Sequence, residues 1–393
     1  MPRQCGVATY TYDLATAAFP RQIVAVIPPG GPETYPAEVR LKIRRDVSED
    51  YGLVAQALNA AGVDVVSVQF AQGIWGGDDG AYVLELVEAL RLPVVTTIHS
   101  VVRHPTPGQQ QVVQRLARAS AATVTLSAVA AARLTHAYGV DRQRLEVVPH
   151  GVPNLPLVDP DTVKPKLGVE GRRVILSYGL MRPGKGYEAV IEAMPAVVEA
   201  DPSALYVILG ATHADLLPGE GEADVYRDQL VATVERLGMG NHVQFLDRFV
   251  GRVELATWLE AADVFVAPYL DLDLVSSGTL SCAMGAGKAV IATPFAFARE
   301  RLSRGRGVLL PAASAAGSAA ADGAGSPSDL AAAIIRLLGD RKLSDKLGRH
   351  AYDDTREAVW SAVGAEYGRI FTRVTRSTKP PVAPVGRFAA AGG

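Results

Sequence analysis

Short apolar runs alternate with amphipathic helical segments along nearly all of the 393 residues, which restricts the chain to parallel sheets wrapped by helices. In the first half the runs are Gln22–Ile27, Val65–Phe70, Val94–Ile98, Thr123–Leu126 and Leu145–Val148. Helical stretches fall near Asp50–Ala61, Ala81–Leu90, Gln109–Ala119 and Ala128–Tyr138. The stretch from Ile27 to Asp50 reads as a Pro/Gly-rich loop whose cations, around Arg40 to Arg45, form a solvated face. Pro149-His150-Gly151-Val152-Pro153 and a polar segment to about Glu170 interrupt the alternation, and the domain boundary is placed there, giving residues 1–155 and 156–376. The second half repeats the pattern. Strands are expected at Val174–Tyr178, Tyr206–Leu209, Val243–Phe245, Val264–Ala267, Ala289–Ala292 and Gly307–Leu310. Helices are expected near Tyr187–Glu199, Asp224–Leu237, Arg252–Ala262, Gly278–Gly285, Asp329–Leu338 and Leu343–Thr372, the last long enough to cross back to the first domain.

Composition narrows the class. The length suits two domains, and a formal net charge of −2 offers no basic surface for nucleic acid. Two distant cysteines, Cys5 and Cys282, make no disulfide framework, so a cytoplasmic protein is expected. No apolar run has bilayer length, and no signal-peptide pattern is present. Residues Ala312–Ser328, rich in Ala, Gly and Ser, read as a mobile loop, and 377–393 as a disordered tail. At the other end Met1–Tyr10 reads as a loop running at once into a helix to about Phe19. Such a loop normally follows a strand, so a preceding run of about five or six apolar residues, upstream of Met1, is expected.

One stretch points to chemistry. Ile175–Tyr178 reads as a strand, Gly179 to Gly186 as a loop with three glycines, and Tyr187 onward as a helix. Glycines admit close backbone approach, and a helix N-terminus there favours an anion beneath Arg182 and Lys185. Gly179-x4-Gly184-Lys185 approaches a P-loop, but Gly186 stands where the Mg²⁺-binding hydroxyl is required. An ordinary strand-to-helix turn with two solvated cations fits these residues as well. Two open parallel sheets place a ligand crevice at the carboxyl ends of their strands, and several loops with polar groups lie at such ends. They contain Gly73–Gly77, His99, His150-Gly151, Gly179–Gly186, His213 and Tyr269–Gly278.

The ordered motifs are Arg3-Gln4-Cys5-Gly6-Val7-Ala8-Thr9, Gly73-Ile74-Trp75-Gly76-Gly77, Thr97-Ile98-His99-Ser100, Pro149–Pro153 and Gly179-Leu180 with Gly184-Lys185-Gly186. They continue through Gly210-Ala211-Thr212-His213, Pro268-Tyr269, Ser277-Gly278-Thr279-Leu280, Gly285-Ala286-Gly287-Lys288 and Gly305–Leu309. In this order, to about Tyr367, the chain resembles the GT-B glycosyltransferases of family 4, with two Rossmann-like domains facing across a cleft. The resemblance implies retaining transfer of a hexose from a nucleotide-diphosphate sugar, UDP- or GDP-linked, to a saccharide or other hydroxyl acceptor, without metal or cofactor. It implies diphosphate stabilisation by Lys185, with Arg182 replacing the family arginine, whose place Leu180 takes. His99 would contact the donor sugar. Gly6, Gly184, Ser277, Gly278, Thr279 and His213 would line the donor site, with Asp271 and Asp273 offering carboxylates to sugar hydroxyls. Trp75, Gly76, Gly77 and His150 would lie towards the acceptor. The chain departs from the family at Leu274 and Cys282, where many members carry two glutamates, the second on the ribose. A GT-B phosphorylase or a non-catalytic sugar-nucleotide binder therefore stays open. Cys5 reads as a packed small residue, since nothing beside it would lower its pKa.

Overall fold

The computed structural model describes residues 5–18, 22–31, 34–212, 224–311 and 326–378. Its strands lie in purely parallel sheets, the α/β arrangement that the alternating pattern implies. In the second domain β7 (Arg173–Tyr178), β8 (Ala204–Leu209), β9 (Val243–Leu246), β10 (Val264–Ala267), β11 (Ala289–Ala292) and β12 (Val308–Leu309) form one six-stranded sheet in the order β12-β11-β10-β7-β8-β9. Helices cover both faces, so β8 and β10 are buried along their whole length and carry continuous apolar runs. One face packs on α6 (Tyr187–Ala200) through Val190, Ile191 and Met194, the other on α9 (Gly278–Gly285) through Leu280, Ala283 and Met284.

The first domain is built differently. β3 (Val66–Phe70), β4 (Val94–Ile98), β5 (Ala122–Thr125) and β6 (Leu145–Val147) make a four-stranded sheet, while β1 (Ile23–Ile27) and β2 (Val39–Arg44) pair only with each other. β2 corrects the expected loop: its residues alternate, burying Ile43 completely and turning Arg40, Lys42 and Arg44 to solvent. The cations are solvated, yet they ride on a strand, and six alternating residues between turn signals are easily read as loop. α1 (Gly6–Ala18), α2 (Ser48–Ala60), α3 (Tyr82–Ala89), α4 (Pro107–Ala119) and α5 (Ala128–Tyr138) surround these sheets.

Two further elements differ from the sequence reading. A short α10 (Ala296–Leu302) follows β11. The single helix expected over Leu343–Thr372 is two, α12 (Arg341–Asp354) and α13 (Trp360–Thr378), following α11 (Pro327–Gly339). The break has a cause in the linker. Val152 donates to Ala358 O and accepts from Trp360 N, so a strand-like bridge occupies the backbone groups that a continuous helix would use. α13 then packs on α1 so closely that a Cβ at Gly364 would stand 2.5 Å from Ala17 O. It runs two residues into the expected tail. The rest of that tail, most of the Ala312–Ser328 loop and His213 lie outside the described residues.

Candidate active site

The glycine-rich loop leaves β7 with its backbone tied to the neighbouring strand ends. Gly179 N donates to Leu209 O and Met181 N to Ala211 O, while the Met181 side chain is fully buried. Gly186 has a left-handed φ of 71°, and a Cβ there would sit 1.9 Å from Pro268 O, so this turn requires glycine. Gly184 O accepts from Leu270 N, which binds the loop to the one after β10. Lys185 Nζ stands 4.0 Å from the Tyr269 ring centroid, a cation–π contact, and that ring stacks on Phe295. Arg182 is exposed and makes no ion pair among the described residues.

Tyr269 connects this cation to a helix terminus. Its hydroxyl is hydrogen-bonded to Thr279 Oγ1, which lies 3.1 Å from Ser277 Oγ. Ser277 caps α9, accepting from Leu280 N and leaving the earlier N–H groups of the helix for an anion. Lys185, Tyr269, Ser277, Gly278 and Thr279 therefore form one electropositive corner.

The first domain supplies the facing wall. His99, just beyond β4, places Nε2 2.8 Å from Gln69 Oε1. That oxygen only accepts, so the proton sits on Nε2 and Nδ1 remains an acceptor. Burial, and then the neighbouring His150, push the His99 imidazole down to about 3. Burial also lowers His150, against the opposing effect of its 2.8 Å bond to Gly151 O. Both rings are neutral near pH 7. Tyr10 lies edge-on to His99 and His150, with centroids at 4.7 and 5.2 Å, and Trp360 of α13 completes the cluster. A buried chain of polar groups supports it from below: Tyr10 and Tyr367 hydroxyls at 3.0 Å, then Tyr367 and Thr97 at 2.7 Å.

The two walls meet. His150 Nε2 is 2.7 Å from where a Gly278 Cβ would stand, so only glycine lets α9 begin beside this ring. Ser276 Oγ donates to His99 O, Ser127 Oγ to Val275 O, and Arg133 Nη1 to both Val101 O and Asp273 O. Glu300 accepts from Ala128 and Val129 at the start of α5. Arg252 pairs with Asp13 of α1, whose carboxyl burial pushes up to about 6 against the pull of that cation.

Other expected site residues are placed elsewhere. Asp273 faces Arg103 and Arg133 of the first domain at 3.7 and 3.6 Å, and Asp271 accepts from Asp273 N. Trp75 is buried in the core and donates to Gln69 O, while Gly76 N donates to the Tyr51 hydroxyl and Gly77 packs on Tyr82. Gly6 is exposed at the first turn of α1. The Cys282 thiol, pushed up to about 11 by burial, interacts with Tyr178. Among the described residues no group of three or more His, Cys, Asp or Glu is placed to hold a metal. No described helix is long and apolar enough to cross a membrane. Sequence reasoning missed Tyr10, Gln69, Thr97 and Tyr367 as supports of the site. Only the position of Tyr10, four residues beyond Gly6 on one helical face, could have signalled any of them.

Comparisons with known proteins show the family and the fold. The model for glycosyl transferases group 1 matches residues 159–354, and that for glycosyltransferase family 4 matches residues 5–154. The chain belongs to this glycosyltransferase family. Among curated relatives, the phosphatidyl-myo-inositol mannosyltransferase of Mycolicibacterium smegmatis is 28% identical over 207 residues, covering 52% of this chain and 46% of the relative. A D-inositol 3-phosphate glycosyltransferase of Paenarthrobacter aurescens is 26% identical, covering 72% and 67%. The chain spans about half the length of the first of these. Among solved structures, Anabaena HepE in complex with UDP aligns with TM-score 0.72 at 15% identity over 95% of this chain and 98% of that one. The sucrose-phosphate synthase of Thermosynechococcus elongatus aligns at TM-score 0.69 and 17% identity, over 95% and 93%. At such identities the likeness establishes the GT-B fold of this glycosyltransferase-family chain.

Proposed function

We propose that this protein transfers a hexose from a UDP- or GDP-sugar to a hydroxyl acceptor, retaining the anomeric configuration. The observation that carries the reading is the electropositive corner of Lys185 and the α9 N-terminus, set against the neutral imidazole of His99 across the cleft. In the reaction the bond from the anomeric carbon to the diphosphate breaks, a bond to the acceptor oxygen forms on the same face, and the acceptor's hydroxyl proton passes to the departing diphosphate. The demand is stabilisation of the departing diphosphate, which a fixed cation and oriented N–H groups meet. Lys185 and Arg182 take the charge without a metal ion, Ser277, Gly278 and Thr279 give N–H groups, and His99 Nδ1 accepts from a sugar hydroxyl. The acceptor enters from residues 1–155, and the donor lies on residues 156–376. HepE has been solved with UDP-glucose and with UDP and glucose, which supports a uridine donor; inositol and sugar phosphates named among the relatives supply acceptors to try.

The test is release of nucleoside diphosphate from UDP- and GDP-sugars with a panel of inositol, sugar-phosphate and saccharide acceptors, with NMR of the product's anomeric centre. Turnover with one donor and a retained configuration is the expected result. Phosphate-dependent cleavage of an oligosaccharide without nucleotide binding would replace the proposal with a phosphorylase. Donor binding without turnover on every acceptor would replace it with a sugar-nucleotide binder.

A further inference from the structure

The two imidazoles of the cleft are held as opposite tautomers. His99 carries its proton on Nε2, towards Gln69. In His150, Nδ1 lies 2.8 Å from Gly151 O, a carbonyl that only accepts, so Nδ1 carries the proton and Nε2 a lone pair. The ring is wedged in that orientation. A Cβ at Gly151 would stand 2.3 Å from the Trp360 indole, and the bridge between Val152 and Val359 pins the backbone just beyond. Nε2 is thereby aimed at the first turn of α9, 2.7 Å from the place of a Gly278 Cβ. Nothing facing this ring draws a proton to it. Tyr10 of α1 and Trp360 of α13 meet it edge-on at 5.2 and 5.9 Å, and burial holds the Tyr10 hydroxyl well above its ordinary range. His99 beside it is neutral. From the second domain it meets the positive end of α9 and, beyond Thr279 and Tyr269, the Lys185 cation. No carboxylate pairs with it among the described residues.

We infer that His150 is the proton-carrying partner of the departing diphosphate: Nε2 takes a proton as the terminal phosphate gains its second negative charge, and donates a hydrogen bond to it. The inference rests on the reading of this corner as a nucleoside-diphosphate site. A lone pair at Nε2 suits the N–H groups of α9 but repels an anionic oxygen bound to those same groups. A proton on Nε2 turns that repulsion into a charge-assisted hydrogen bond. His150 therefore belongs to the donor side of the cleft and not to the acceptor side expected from the sequence. The proton balance closes within the transfer. The acceptor's hydroxyl proton passes to an oxygen of the departing diphosphate and on to Nε2, leaving a fully ionised diphosphate beside an imidazolium. The ring returns the proton to water when the nucleotide leaves. A nucleoside diphosphate binding from solution reaches the same state by drawing one proton from water.

The test is calorimetric titration of UDP and GDP at about pH 7.5, in two buffers that differ in heat of ionisation, which counts the protons exchanged on binding. A terminal phosphate loses its second proton near about pH 6, so the free nucleotide is already ionised there and uptake reports the protein. The wild type should take up about half a proton or more per nucleotide, and its affinity should fall as pH rises from about 7 to 9. His150→Gln keeps an amide that forms hydrogen bonds but does not titrate. It should bind about tenfold more weakly, with that uptake lost. Equal uptake in both proteins overturns the inference. A second measurement needs no substitution: nitrogen NMR of the histidine-labelled wild type, with and without UDP. The responding ring should begin with its proton on Nδ1 and become doubly protonated. A responding ring that begins with its proton on Nε2 assigns the effect to His99 and overturns the inference, as does the absence of any response. Nucleotide binding without proton uptake overturns this inference alone. No binding of either nucleotide overturns the diphosphate reading and this inference with it.

Discussion

The two walls of the cleft solve the same problem of placing polar groups by opposite means. The second domain presents cations from loops: Arg182 is exposed, and Lys185 rests on an aromatic face, tied to no carboxylate among the described residues. The first domain presents neutral rings from its interior, fixed through Gln69, Thr97, Tyr10 and Tyr367. Charge held in a loop costs the fold little and acts when an anion arrives. A buried imidazole is part of the packing, so it cannot be changed without disturbing its neighbours.

The largest effect expected from this contrast is at Lys185. Lys185→Ala should cut turnover about a hundredfold, equivalent to roughly 3 kcal/mol of stabilisation of the departing diphosphate. Its melting temperature should move by only about 2 °C, since a half-buried cation–π contact is worth about 1 kcal/mol. A larger loss of stability than of activity would erase the contrast. Steady-state kinetics and calorimetry on the same preparation decide it.

Gln69→Leu is expected to behave in the reverse proportion. It removes the acceptor of the His99 Nε2 proton and leaves that donor unpaired in the interior. Melting temperature should fall by about 5 °C, from roughly 1–3 kcal/mol of lost satisfaction, and turnover by only about tenfold. An unchanged melting temperature would show that the ring is held by aromatic packing alone.

How far these residues could be read in advance follows the same line. The strand–loop–helix around Lys185 is contiguous, so its glycines, its cation and its helix start are visible in one short segment. The second sheet was legible for a related reason: its strands are buried on both faces and read as unbroken apolar runs. The first wall is assembled from Tyr10, Gln69, Thr97, His99 and Tyr367, which lie up to 357 residues apart. No local pattern records that Tyr367 returns to touch Thr97. β2 was missed because Arg40, Lys42 and Arg44 make its outer face look like loop, and the α12–α13 break because Val152 causes it from the linker.

The smallest expected effect concerns the ion pair that joins the walls. Asp13 is raised from 3.8 to about 6 in the folded chain, so the native state holds its proton more tightly than the unfolded state. Its contribution is greatest below pH 4 and is lost as pH rises through 6. His99, lowered from 6.5 to about 3, acts oppositely: its contribution is present above pH 6.5 and lost as pH falls towards 3. The difference in melting temperature between the wild type and Asp13→Asn, followed from pH 4 to 6, isolates the first trend. It should move against the wild type by about 2 °C across that interval. A difference independent of pH would show that the carboxyl is not held protonated by burial.

The central claim is that Lys185 and the start of α9 together hold a nucleoside diphosphate, and isothermal titration of UDP and GDP into the wild type and Lys185→Ala tests it most directly. One nucleotide should bind the wild type and bind the variant at least about tenfold more weakly, the loss of one charge-assisted contact. Equal affinity in both proteins, or no binding of either nucleotide to the wild type, would contradict it.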